Sequence, residues 1–278
     1  MRLLRPVTLV LGAALVAGCG SAGAPHASSG TAPLDRLTPV EAVGAASDRT
    51  VAARSSKFTL SSAAVVAGRS VTFSGTGAFD YARRLGSMTF TIPAAAGGAT
   101  TTFEERLLGD TLYLALPNQT GVYYKLSLSQ LGGTSFGGSA DPTTGLAVLH
   151  SATGVTSVGH ETLRGVTTTH YTGTYDVTAA LAKAQGPVRD LLAGTLKSTN
   201  LKTVPFDAFI DEQGRLARMV QHITVGSVAS AAATFQTTTT LDFFDFGTPV
   251  TVEAPPAAQV KDGAPLLNFL GGKPPAHN

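Results

Sequence analysis

The sequence is short of cysteine, tryptophan and charge. It has one cysteine and no tryptophan in 278 residues, and charged residues make up only 14% of the chain. One cysteine excludes an intramolecular disulfide. Because ordinary soluble domains are about 25% charged, and because Thr, Ser, Gly and Ala fill the remaining positions, we expect a surface that is polar but largely uncharged.

The charges that are present nearly balance. Lys and Arg number 20 and Asp and Glu number 18, and two of the basic residues, Arg2 and Arg5, lie in a segment that we expect to be removed. The remaining chain has no excess positive charge with which to neutralise phosphates. The composition therefore predicts no nucleic-acid partner.

The N-terminal segment has the pattern of a secretion signal. Arg2 and Arg5 precede an apolar run from Val7 to Val16, and the small residues Ala17 and Gly18 stand directly before Cys19. The run is too short for a spanning helix, which needs about 20 apolar residues. We predict that residues 1–18 are a lipoprotein signal peptide, removed after the Cys19 sulfur has received a diacylglyceryl group.

Lipid on Cys19 anchors the mature protein in this interpretation. One acyl chain binds a membrane only marginally, whereas two or more hold a protein stably. The expected location is therefore the extracytoplasmic face of the cell membrane. The alternative is a secreted protein with a free thiol, which leaves an exposed unpaired cysteine in an oxidising compartment.

Composition also suggests how the rest of the chain is divided. Residues 19–37 are rich in Gly, Ser, Ala and Pro without periodicity, which predicts a flexible tether spanning on the order of 20 Å. Residues 38–260 show no compositional break and are predicted to form one domain. Residues 261–278 are a C-terminal tail that either covers an opening or frays.

The domain begins with a helix signal. Thr38 is a suitable N-cap, Pro39 suits the first helical position, and Glu41 completes a capping box. Apolar and small residues then recur at helical spacing, which predicts a helix over 39–53 with one buried side. That side includes Val40, Val43, Ala46, Thr50 and Val51.

Alternation of apolar and polar residues predicts a series of half-buried antiparallel strands. A short helix is predicted near 146–150, and a helix capped by Asp176 is interrupted at Gly186-Pro187. A hairpin turns at 211–214, and a last strand follows over 235–246. The predicted fold class is α+β, with a single large antiparallel sheet and a few helices on one face. The strand alternation is carried by Phe58, Leu60, Val71, Phe73, Phe79, Met88, Phe90, Ile92, Phe103, Glu105, Leu107, Leu112, Leu114, Leu116, Tyr124, Leu126 and Leu128.

Three segments carry a family resemblance. They are Gly159 to Tyr171, the strand-turn-strand from Val204 to Arg218, and Phe246 to Val252 running into Pro255. With the cysteine in front of them, they resemble the LolA-like lipoprotein-carrier superfamily, specifically the actinobacterial lipoproteins of the LppX and LprG kind, over about 38–256. The chain has no tryptophan; an aromatic residue is common before the Ile210-Asp211 turn, and Phe209 takes that place.

The resemblance implies a curved half-barrel sheet wrapped over helices, with an apolar cavity between the layers. Such a protein binds the acyl chains of a lipid or glycolipid and carries or presents it in the cell envelope, together with envelope transport partners. It is not an enzyme and needs no cofactor. The alternative is a protein-interaction or envelope-sensing module on the same scaffold.

Apolar strand residues are the candidates for lining that cavity. Alternation reports burial and not open space, so each candidate is equally explained as ordinary core. Gly75 and Gly77, on the same faces, either leave space or let the sheet bend. The candidates are Phe58, Leu60, Phe73, Phe90, Leu112 and Leu114.

Catalytic and metal sites are not predicted. Gly133 to Gly137 spells a hydrolase nucleophile motif, but no amphipathic helix follows it. His150, His160, His170 and His222 stand singly, without the spacing of metal ligands. Glu104 and Glu105 are adjacent, whereas paired catalytic carboxylates need facing positions, and we interpret them as a polar interruption of one strand.

Overall fold

The computed structural model describes residues 34–66, 69–93, 100–117, 119–131, 142–185, 201–226 and 234–270, with single positions between 186 and 200. Five of the sequence predictions lie outside these residues. They concern the signal peptide with Cys19, most of the tether, the motif at 133–137, the helix break at 186–187 and the end of the tail.

The first helix, α1 (Pro39–Ala52), forms as the capping signal predicts. The Thr38 side chain accepts a hydrogen bond from the Glu41 backbone, and the Glu41 carboxylate accepts one from the Thr38 backbone at 2.8 Å. Ala42, Val43 and Ala46 are buried, but Val40 and Val51 are exposed. The buried stripe is therefore narrower than the sequence predicted.

Polar residues on α1 fasten it to the rest of the fold. Thr50 Oγ1 accepts a hydrogen bond from the Leu216 backbone at 2.8 Å and donates to the Ala46 carbonyl at 2.7 Å. Ser47 Oγ donates to the Leu146 carbonyl at 2.8 Å. Buried hydroxyls need such partners, so these bonds fix both the rotation and the height of the helix.

The described residues contain three further α-helices and twelve strands, and the predicted α+β class is confirmed. The helices are α2 (Thr143–Ala147), α3 (Val177–Lys183) and α4 (Ala264–Leu270), with short 3-10 turns at Leu34–Arg36, Val148–Ser151 and Ala257–Gln259. The strands are β1 (Ser55–Val66), β2 (Arg69–Asp80), β3 (Leu85–Ile92), β4 (Thr101–Leu108), β5 (Thr111–Ala115), β6 (Tyr123–Ser127), β7 (Ala152–Leu163), β8 (Val166–Asp176), β9 (Thr203–Asp211), β10 (Leu216–Gly226), β11 (Thr234–Phe244) and β12 (Val260–Asp262).

All twelve strands belong to one open, curved sheet with the order β12-β6-β5-β4-β3-β2-β1-β11-β10-β9-β8-β7. Neighbouring strands are antiparallel, except that β12 runs parallel to β6. The pairing of β1 with β11 joins two antiparallel meanders into a single sheet. Because β1 to β6 follow one another in space as in sequence, their inner faces form one continuous surface.

Helices α1 and α3 lie over one half of the sheet. Helix α1 packs on β7, β9 and β10, and the turn Val148–Ser151 lies between α1, α3 and β8. The Asp176 carboxylate caps α3 by accepting a hydrogen bond from the Ala179 backbone at 2.8 Å, as predicted. This arrangement covers the half of the sheet formed by β7 to β10.

The hairpin between β9 and β10 turns where the sequence predicted. Gly214 has a φ of +80°, which a glycine adopts without strain. The buried Asp211 carboxylate accepts hydrogen bonds from the backbones of Gln213 and Arg215 and from Arg215 Nε, all within 3.0 Å. The turn is thus held by its own side chains.

Ordered elements occur on both sides of the predicted 38–260 domain. Leu34 and Leu37 pack against the core from a segment predicted as tether. In the predicted tail, β12 extends to Asp262 and Leu267 of α4 is fully buried. No helix in the described ranges is both long and apolar enough to cross a membrane.

Candidate functional site

The inner face of β1 to β5 is an apolar surface built from cross-strand rows. One row runs through Leu60, Gly75, Phe90 and Phe103, because each is the register partner of the next. Since side chains alternate along a strand and residues in register share a face, the rows two residues away along each strand lie on the same inner face.

The next inner row contains the one acidic member of this surface among the described residues. It runs through Phe58, Gly77, Met88, Glu105 and Leu114. A third row, below it, runs through Ser56, Phe79, Gly86, Leu107 and Leu112. Glu105 therefore lies among apolar neighbours both along its row and along its strand.

Glycines in these rows make room for aromatic rings and do not leave open space. A Cβ on Gly77 would come within 2.7 Å of Phe58 Cζ and would clash with the Ser87 carbonyl, and a Cβ on Gly86 would collide with the Phe79 ring. Each ring thus lies across the neighbouring glycine. The sequence left open whether Gly75 and Gly77 leave space on the inner face or let the sheet bend. At Gly77 the structure rules out vacant space.

The six predicted cavity residues all lie on this inner face. Phe58, Leu60, Phe90, Leu112 and Leu114 are buried in the hydrophobic core, and Phe73 is partly buried at its edge. Phe73 packs on Phe90 edge to face, with ring centroids 6.5 Å apart. The structure therefore brings the candidates together, while their contact with a lipid remains a prediction.

Glu105 is the residue that the sequence interpretation missed. Its side chain is 2% exposed, and neither carboxylate oxygen has a hydrogen-bond partner among the residues that the structure describes. Burial away from water raises the pKa of the Glu105 carboxyl from 4.5 to about 8. The signal was present in the alternation of Phe103, Glu105 and Leu107, which places all three on one face.

Glu104, its neighbour, has the opposite environment. The Arg106 Nε donates to Glu104 Oε1 at 2.7 Å, and Arg106 Nη2 donates to the Tyr123 hydroxyl at 2.9 Å. These three residues form a polar cluster on the outer face of the sheet. The two adjacent glutamates thus face opposite sides of the strand, and the interpretation as a polar interruption of the strand describes Glu104 but not the buried Glu105.

A small cavity lies beside the Glu105 carboxyl. Its volume is about 10 Å³, which is enough for roughly one water-sized group. The cavity is lined mostly by rings and aliphatic side chains, together with Glu105 and Ser87. The lining residues include Phe58, Phe79, Gly86, Met88, Leu107 and Leu112.

The outer face of β8 to β11 holds a network of charged and aromatic side chains. His170 Nε2 and His222 Nε2 lie 2.8 and 3.2 Å from the two oxygens of Asp207. The His170 ring stacks on Phe209 at 4.2 Å. Two of the four histidines that stand singly in the sequence are thus brought to one carboxylate, which the sequence spacing did not show.

Neither metal binding nor catalysis gains support from this network. No group of three or more potential metal ligands occurs in the described part of the chain. Each side chain in the network already has a protein partner, and Arg218 forms a two-bond ion pair with Asp242. The hydrogen bonds to Asp242 raise the pKa of Arg218, so this pair is a stable structural contact.

The Gly159 to Tyr171 segment is the β7–β8 hairpin, and its tip reaches the outer face of the sheet. Arg164 and Gly165 both have positive φ, at 52° and 79°, as a two-residue hairpin turn requires. The Arg164 guanidinium lies over the Phe244 ring at 4.1 Å and donates to Thr59 Oγ1 at 3.4 Å. The hairpin is therefore pinned across β11 and β1.

Comparison with known proteins gives one curated relative. No family model matches the chain. A protein of Streptomyces griseus, described as an uncharacterized 31.2 kDa protein in the rplA-rplJ intergenic region, is 30% identical over 165 residues. The match covers 55% of this chain and 51% of that protein, so the chain spans about half the length of the curated relative it matches.

The solved structures that are similar to the chain include two mycobacterial proteins. LprF from Mycobacterium bovis has 16% sequence identity and a TM-score of 0.47, covering 78% of this chain and 96% of that one. The lipoprotein LppX from Mycobacterium tuberculosis has 18% identity and a TM-score of 0.45, covering 77% and 99%. They are proteins of the kind that the sequence motifs resemble.

Proposed function

We propose that the chain is a membrane-anchored extracytoplasmic lipoprotein that binds the acyl chains of a lipid or glycolipid against the inner face of β1 to β5 and carries it in the cell envelope. The observation that supports this proposal most is the three-row apolar surface, whose ring-on-glycine packing provides a broad hydrocarbon face. The lipid-modified Cys19 is the expected anchor.

The energetics explain why a cavity is needed for this work. Each methylene removed from water contributes about 0.8 kcal/mol. Moving an acyl chain of about 16 methylenes from a bilayer into water therefore costs about 13 kcal/mol of transfer free energy. A carrier must replace most of that free energy with its own apolar contacts. It needs neither a catalytic group nor a cofactor to do so.

Binding requires that the inner face of β1 to β5 become accessible. The cavity beside Glu105 has a volume of about 10 Å³, which is far smaller than the several hundred cubic ångströms typical of ligand pockets. The described helix α1 packs on β7, β9 and β10. In this proposal the side chains packed against the inner face of β1 to β5 separate from it to admit a ligand.

The small cavity also favours a second candidate. If side chains fill the space between the layers permanently, the same scaffold serves as a protein-interaction or envelope-sensing module. The two candidates differ in one property, which is whether the protein takes up lipid. Enzymatic activity is not part of either proposal.

Transfer of a labelled lipid between donor and acceptor vesicles tests the proposal. We expect the protein to speed the transfer, and Phe73→Asp to abolish most of the gain, because a carboxylate at the edge of the apolar face lies in the path of an acyl chain. Thr72→Asp is the matched control, since Thr72 is exposed on the same strand. Transfer no faster than without protein would contradict the carrier proposal and favour the interaction module.

A further inference from the structure

The buried Glu105 carboxyl is a feature of the described residues that the fold itself does not explain. Its neighbours across the strands, Met88 and Leu114, are apolar. The nearest basic residue in sequence, Arg106, is held on the outer face by Glu104 and Tyr123. An apolar side chain at position 105 would avoid the cost of burying an unpaired polar group, which is about 1–3 kcal/mol.

The protonation state of Glu105 determines what it can recognise. Because burial raises its pKa to about 8, the carboxyl is mostly uncharged at neutral pH. An uncharged carboxylic acid has one O–H donor and one acceptor oxygen. It therefore suits a partner with an uncharged oxygen and disfavours a second negative charge, whose burial in an apolar interior is costly.

The small cavity at Glu105 limits the size of the ligand group that the carboxyl can contact. The cavity at the carboxyl has room for roughly one oxygen-sized group. Most of the remaining lining is hydrocarbon, including the Phe58 and Phe79 rings and the Met88 side chain, and Ser87 is the other polar residue that borders the cavity. Ser87 is the register partner of Arg106, whose side chain is on the outer face. Glu105 is therefore the one inner-face side chain of this lining that can form a hydrogen bond to a ligand.

We propose that Glu105 is the polar contact of the bound ligand, and that its carboxylic acid donates a hydrogen bond to the ester carbonyl of an uncharged acyl lipid. This inference rests on the proposed acyl-chain binding and assigns its ligand class. Lipids that carry a carboxylate at the buried position are selected against. Glu105 would thus fix the position of the bound acyl chain along the inner face of the sheet.

A pair of probes with equal chain length isolates the hydrogen bond. Methyl oleate carries an ester and octadecene carries no oxygen, and their binding is measured by competition with a fluorescent acyl probe. The protein is the full chain with Cys19→Ala, which excludes its own acyl groups. In Glu105→Leu we expect affinity for methyl oleate to fall about tenfold or more, while affinity for octadecene is unchanged or higher.

Two further variants serve as controls. Glu105→Gln keeps an N–H donor at the same place and is expected to retain methyl oleate affinity within about threefold, since neutral hydrogen bonds are similar in strength. Glu104→Leu removes the neighbouring carboxylate on the outer face and is expected to change neither affinity. Ionised oleate is expected to bind the wild type more weakly than methyl oleate.

Infrared difference spectra give a readout that does not depend on the folding of Glu105→Leu. On addition of methyl oleate, the carboxylic-acid C=O band of the wild type is expected to shift, and Glu105→Gln lacks that band. Octadecene is expected to leave the carboxylic-acid C=O band of the wild type unshifted. An unchanged preference for methyl oleate over octadecene in Glu105→Leu, or an unshifted band in the wild type, would overturn the inference while leaving acyl-chain binding intact. If the wild type binds neither probe, the proposed function fails as well.

Discussion

The stability of the protein should depend on pH through Glu105. In the folded state the pKa of its carboxyl is about 8, against 4.5 when it is exposed. Between these values the folded state holds the proton more tightly than the unfolded state, so the free energy of unfolding falls as pH rises. The contribution of Glu105 to the free energy of unfolding is highest below about pH 4.5, falls between about pH 4.5 and 8, and stays at its lowest value above about pH 8.

The magnitude follows from the size of the shift. Each pH unit inside the window changes the free energy of unfolding by up to 1.4 kcal/mol, so the full window contributes at most about 5 kcal/mol. Glu105→Gln has no titrating group at this position. We therefore expect it to match the wild type within about 1 kcal/mol at pH 5 and to be more stable by several kcal/mol at pH 9.

Chemical denaturation at a series of pH values between about 5 and 9 measures this difference. Subtracting the two unfolding free energies at each pH removes the contributions of all other titrating groups, provided that they are unaffected by the substitution. Glu104→Gln is the matched control, since Glu104 is partly exposed and ion-paired, and it should follow the wild-type profile. Parallel profiles for wild type and Glu105→Gln would refute the reasoning.

Two further substitutions test the packing of the sheet and the anchor. Gly86→Ala should destabilise the fold by about 1–3 kcal/mol because its Cβ meets the Phe79 ring. Gly145→Ala is the control and should not destabilise the fold, since a Cβ there meets nothing within 4 Å. Thermal unfolding of both variants measures the difference. Cys19→Ala should abolish incorporation of labelled palmitate into the protein, and continued incorporation would argue against the lipid anchor at this residue.

Local signals account for most of what could be predicted. The capping box at Thr38 predicted the start of α1, and the period-two alternation predicted the strands, because both depend on residues close together in sequence. The turn at Gly214 is likewise local, since only the positive φ and the preceding Asp211 are needed. The α+β class follows from these elements taken in order.

Properties that depend on distant residues could not be predicted in the same way. The burial of Glu105 depends on Met88 and Leu114 on the two neighbouring strands. The meeting of His170 and His222 at Asp207 depends on three strands pairing in register. The ring-on-glycine packing needs the register of β1, β2 and β3, so the sequence alone left the role of Gly77 open.

The mass of the intact protein under native conditions tests the central proposal most directly. The full chain carrying Cys19→Ala is purified from a bacterial host and weighed, then denatured and extracted. Acyl-chain binding predicts a mass above that of the polypeptide by one or more lipids, which appear in the extract as uncharged esters. The mass of the bare polypeptide, both as purified and after incubation with vesicles, would contradict it.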